Sequence, residues 1–147
     1  MSPLTTLNKM NTVPDDVKRE MTEAFGMVPS FALAMPPTEA KLWWQTMRDF
    51  QLSDKTALSN KVKELIGLGV ASQIPCHYCV LFHTEAARLH GATEQELQEA
   101  IFMAGVTRMG STILNGVVLD EETFDAELRE IVSFVKKQGK QPQVMKH

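Results

Sequence analysis

At 147 residues, with a formal net charge of −3 and an isoelectric point near 5.8, the chain is long enough for one domain with a real core and carries no basic footprint for nucleic acid or an anionic membrane. Apolar residues make up 44% and aromatics 7%, the balance of an ordinary helical domain, and no run approaches the ~18–20 apolar residues of a membrane span. Two cysteines, three positions apart, exclude a disulfide framework and fit the reducing cytoplasm better than an export compartment.

Met1 to Thr12 shows no basic start followed by an apolar run, so no secretory signal is expected. Pro14 to Phe25 reads as a first helix, with Asp15 and Asp16 in its first turn and Gly26 ending it. Phe31 to Met35 is a short helical turn before Pro36-Pro37 breaks the chain. A second full helix is expected from about Thr38 to Leu52. Leu42, Trp43, Met47 and Phe50 recur on it at helical intervals, widened by Trp44, as a core stripe from which an aromatic could wall a pocket.

Ser59 is placed to cap the next helix, whose Val62, Leu65, Ile66, Leu68 and Val70 predict a broad buried surface. Glu64 falls within it. Either it faces water beside Lys61 and Lys63 or it is a buried carboxylate with a partner. Gly67 and Gly69, costly inside a helix, suggest close approach of another helix, the cysteine helix being a candidate.

That helix is expected from Pro75 to His90, with Pro75 in its first turn and Gly91 just past its end. It carries Cys76-His77-Tyr78-Cys79 and then His83. At 100° per residue, Cys76, Cys79 and His83 fall within an arc of about 60° on one face. Residues three apart on a helix stand roughly 5–6 Å apart at Cβ, close enough for a small adjustment to join the thiols. So short a loop makes a poor staple, because little unfolded-state entropy is removed by closing it. Redox chemistry, metal ligation and inert burial are the three readings of the pair, and redox is the leading one. A thiol reacts as its thiolate, which a helix N-terminus or a neighbouring imidazolium favours. The dipole points to Cys76 as nucleophile and the base points to Cys79. Glu64 would serve by orienting His83 across two helices.

Thr93 and Glu96 form a capping box for the following helix. Ile101, Phe102, Met103, Val106, Met109, Ile113, Leu114, Val117 and Val118 then make the stretch from Ala100 to Leu119 apolar on nearly every face. A domain this small has little interior for such a helix, so a subunit interface is its natural place. Arg108 interrupts it, as an interface ion pair or a substrate group. Asp120 caps a last helix to about Gln138, with Phe124, Leu128, Ile131, Val132 and Val135 expected inward, and the tail after Gly139 reads as frayed. His90 suits a helix C-terminus, His147 is terminal, and His77 either lines the pocket entrance or contacts solvent. The nine methionines read as core.

Glu64, Cys76, Cys79 and His83 at these spacings, with Leu65-Ile66-Gly67-Leu68-Gly69-Val70-Ala71 leading into the cysteines, resemble the core motif of the AhpD-like alkylhydroperoxidases within the carboxymuconolactone decarboxylase superfamily. The resemblance covers roughly residues 40 to 120. It implies an all-α fold of about six to seven helices, one domain over 1–147 with helices 14–35 and 121–138 packed on the core, and a homotrimer or homohexamer. It also implies thiol peroxidase or disulfide reductase activity. Cys79 would attack the hydroperoxide, Cys76 would donate a proton and resolve, and His83 and Glu64 would relay protons. Regeneration would fall to a dithiol such as dihydrolipoamide or a thioredoxin-like protein, with no bound cofactor beyond the cysteine pair. In AhpD itself a histidine immediately precedes the second cysteine; here that position is Tyr78, and His77 points about 100° away from it. Members that decarboxylate a lactone lack the cysteine pair. A zinc module using Cys76, Cys79 and His83 is the remaining alternative.

Overall fold

The computed structural model describes residues 13–138; the expectations for Met1–Thr12, for the tail after Gly139 and for His147 lie outside them. The described residues contain seven α-helices and no strand. Helix α1 (Asp15–Phe25) opens with two aspartates at its positive end and stops at Gly26, whose φ of 76° lies in the left-handed region where a side chain is strained. After α2 (Ser30–Leu33), Pro36 and Pro37 start α3 (Pro37–Thr46). Its Trp44 side chain is buried edge-on against Phe25, and its indole N–H donates to Glu20 Oε2 at 2.6 Å. Val13, Val17, Met21, Ala32, Ala40, Trp44 and Met47 make this first core.

The expected helix over 38–52 is not uniform. From Met47 to Gln51 the chain widens into a π-helical turn, in which carbonyls bond five residues ahead. The wider turn brings the Phe50 carbonyl to the ammonium of Lys63, at 2.6 Å. Trp44 and Met47 are buried, as a core stripe requires, but Leu42 and Phe50 are exposed.

Ser59 caps α4 (Asn60–Gln73), its hydroxyl accepting from the Val62 N–H. The buried positions of α4 are Lys63, Glu64, Leu68 and Ala71; Val62, Ile66 and Val70, expected inside, lie open on the opposite face. Helix α5 runs from His77 to Leu89, so Pro75 stands before it rather than in its first turn, and Cys76 is the N-cap. The reason is local: the Cys76 sulfur accepts the Cys79 N–H at 3.2 Å, the bond a serine or aspartate cap would make. Gly91, φ 81°, ends α5 as anticipated. The Thr93–Glu96 capping box starts α6 (Glu94–Gly116), and Asp120 caps α7 (Glu121–Lys137).

Helix α4 packs chiefly against α5 and α6 around Leu68, Ala87 and Leu97. Beyond that contact, α6 exposes Phe102, Met103, Met109 and Ile113. On α7 no residue is buried: Phe124, Leu128, Ile131 and Val132, expected inward, face out of the single chain. No described helix is long and apolar enough to cross a membrane.

Candidate active site

The site is assembled where α3 and its π turn meet α4 and α5. Cys76 and Cys79 are joined in a disulfide, with their Cα atoms 5.2 Å apart. One turn further along α5, His83 reaches back to α4, where its Nδ1 lies 2.7 Å from Glu64 Oε2. Gly67 makes this approach possible, because the imidazole lies over its Cα. A Cβ built there would stand 2.8 Å from Nε2 and closer still to Cε1 and Nδ1. The expected close contact between a glycine of α4 and the cysteine helix is therefore with Gly67. Gly69 instead faces the Ala100 carbonyl and Ala104 of α6.

Glu64 is 0% exposed, which decides between its two readings in favour of the buried, partnered carboxylate. Besides His83 it accepts from Gln51 Nε2, 3.0 Å from Oε1 and 3.3 Å from Oε2. Gln51 ends the π turn. The neighbouring Lys63 is also buried, and its ammonium points into the following loop, 2.6 Å from the Phe50 carbonyl, 2.7 Å from the Ser53 carbonyl and 2.8 Å from Thr56 Oγ1. Three acceptors satisfy a group with three donors, which is how a lone ammonium is tolerated inside.

Above this pair lies a cleft of about 310 Å³ lined by Phe31, Trp43, Met47, Gln51, Tyr78, Cys79, Phe82 and His83. Cys79 and His83 share it, with Glu64 beneath the imidazole. Cys76 is half-buried at the head of the helix, outside the lining. Tyr78, 83% exposed, stands at the rim, and His77 contacts solvent. The aromatic wall anticipated from α3 is Trp43, which meets Phe31 edge-on at 5.1 Å. Gln51 and Lys63 carried no signal in the sequence. Both are polar residues at helical positions that a solvated face would explain equally well. Arg108 does not line the cleft; its Nε donates to Gln73 Oε1 at 2.9 Å beside an apolar groove of about 610 Å³ between α4 and α6. Among the described residues no group of three or more His, Cys, Asp or Glu side chains is arranged as a metal site.

Seven helices with this order and packing form the AhpD-like fold. The structure superposes on the crystal structure of the alkylhydroperoxidase AhpD core from Rhodospirillum rubrum with a TM-score of 0.66 over 77% of this chain and 93% of that one, at 23% identity. The chain belongs to the carboxymuconolactone decarboxylase family, whose sequence profile matches residues 38–119. Among curated proteins it is similar to "Uncharacterized protein 4 in cox locus" of Paracoccus denitrificans, 36% identical over 69 residues. It is also similar to an uncharacterized protein of Cupriavidus necator, 47% identical over 45 residues. These alignments span 44% and 31% of this chain, and 62% and 40% of the two relatives.

Proposed function

We propose that the protein is a thiol-dependent oxidoreductase that reduces a hydroperoxide, or a disulfide of a partner, through Cys79 and Cys76. The observation that carries this reading is the convergence on one small cleft of Cys79, already paired with Cys76, and an imidazole whose Nδ1 is held by a buried carboxylate. With Nδ1 engaged by Glu64, Nε2 is the nitrogen left to exchange protons with a thiol.

In the reduced protein His83 takes the proton of Cys79, and the thiolate attacks one peroxide oxygen. The O–O bond breaks, and the departing alkoxide takes the proton of Cys76 and leaves as an alcohol. Cys79 now carries a sulfenic acid and Cys76 a thiolate. Cys76 attacks the Cys79 sulfur, the hydroxide leaves as water with the proton His83 held, and the disulfide closes. A dithiol such as dihydrolipoamide, or a thioredoxin-like protein, returns the two electrons through a mixed disulfide. The cysteine pair is the whole redox centre in this reading. We infer a homo-oligomer, a trimer or hexamer, for which the apolar faces left open on α6 and α7 offer a contact surface, and, from the lone thiol pair, a place in the reducing cytoplasm.

The test is intact mass, native and denatured, on reduced protein before and after one equivalent of hydroperoxide, followed by turnover with dihydrolipoamide. The expected result is loss of two hydrogens per chain, no retained metal, and recovery of the dithiol on adding reductant. Thiols that stay protected by a bound zinc ion until it is stripped would replace this reading with the metal module.

A further inference from the structure

The buried carboxylate has a second donor that the relay does not need for proton transfer. Gln51 Nε2 spans both oxygens of Glu64, while His83 Nδ1 meets only Oε2. A carboxamide nitrogen can only donate, and the partner it suits best is a carboxylate, both of whose oxygens are acceptors, so that Oε2 is an acceptor for His83 as well. An acceptor at Oε2 requires the hydrogen to be on Nδ1. Gln51 reaches this place because the π turn carries it there, and the turn is fastened by Lys63, whose ammonium holds the carbonyls of Phe50 and Ser53 and the hydroxyl of Thr56. Lys63 and Glu64 are consecutive on α4. One turn of helix thus supplies both the clamp on the loop and the carboxylate that the loop's glutamine holds.

We propose that Gln51 is a positioning residue: its side-chain N–H group keeps Glu64 an acceptor and so commits His83 to the form with hydrogen on Nδ1 and Nε2 open to the Cys79 cleft. The groups that face Glu64 are Gln51 from the π turn and His83 from α5; the Lys63 ammonium is spent on the loop. The effect on peroxide reduction rests on the function proposed above, whereas the effect on His83 does not.

The experiment therefore reads His83 directly. Nitrogen-15 NMR of the imidazole in the wild-type protein above the pH of imidazole protonation should show a single neutral tautomer, protonated at Nδ1. In Gln51→Met, which keeps length and loses the donor, the two tautomers should mix. The second-order rate of Cys79 alkylation by iodoacetamide at neutral pH should fall about tenfold, the effect of losing one hydrogen bond to a charged group. In a Glu64→Gln background the same substitution should change neither quantity, since the group it acts through is gone. A wild-type His83 already mixed between tautomers would overturn the proposal whether or not any variant folds. So would a Gln51→Met protein with His83 and the alkylation rate unchanged within twofold. If wild type reacts with iodoacetamide as described but turns over no hydroperoxide or disulfide, the proposed function fails and the role of Gln51 stands.

Discussion

Cys76 is half of the disulfide and, which its place in the sequence does not reveal, the N-cap of the helix that carries the other half. Serine is a preferred cap, so Cys76→Ser should keep α5 intact, while Cys76→Ala should lose a further ~1 kcal/mol of stability in the reduced protein. On the proposed chemistry Cys79→Ser abolishes turnover, and Cys76→Ser leaves a sulfenic acid that dimedone traps on Cys79. Full activity in Cys79→Ser would remove the assignment. Gly67 allows a second, independent test. Alanine ordinarily stabilises a helix interior by about 1 kcal/mol over glycine, but here its methyl group would enter the imidazole ring. Gly67→Ala should fold, break the His83–Glu64 bond, and slow Cys79 alkylation by at least about tenfold. An unchanged rate would mean that the ring can move without consequence.

Among the elements, α5 and the head of α4 were the most legible in the sequence, because their signals are local: a serine cap, a glycine stop, two thiols and an imidazole at helical spacing. The π turn was not. Its shape is set by contacts thirteen residues away, from Gln51 to Glu64 and from the Phe50 carbonyl to Lys63, and neither partner differs in type from a solvated residue. Lys63→Met should accordingly cost about 2–3 kcal/mol, since it leaves buried acceptors unpaired, and thermal melting would measure it. The junction of α1 and α3 is held differently. Glu20 accepts from the Trp44 indole and, at 2.7 Å, from the Arg48 guanidinium, and these hold its carboxyl below the usual carboxylate range. A carboxyl depressed in the folded state adds stability above its unfolded value, near 4.5, and loses it as pH falls through the folded one. Glu20→Gln should therefore be less stable than wild type at neutral pH, with the gap closing below about pH 4.5 in acid denaturation followed by circular dichroism.

For the whole molecule, periodicity gave the helices and misplaced their partners. Val62, Ile66 and Val70 were read as core because an apolar face looks the same whether its own chain or another covers it. They line the groove between α4 and α6, with Met103 on its far wall, and Leu128 and Ile131 of α7 stand equally open. Exposed apolar area on this scale marks an interaction surface. Light scattering should find a homo-oligomer, and Leu128→Glu with Ile131→Glu should reduce its mass to that of the single chain. A monomeric wild-type protein at tens of micromolar would contradict the assembly. The cleft is made entirely of residues between Phe31 and His83, whereas the open surface is shared by the other face of α4, α6 and α7. Dilution would then act on the two unequally: melting temperature would climb with protein concentration, as mass action requires, while the rate of Cys79 alkylation per chain stayed flat, and the protein would be assembled for endurance rather than for chemistry.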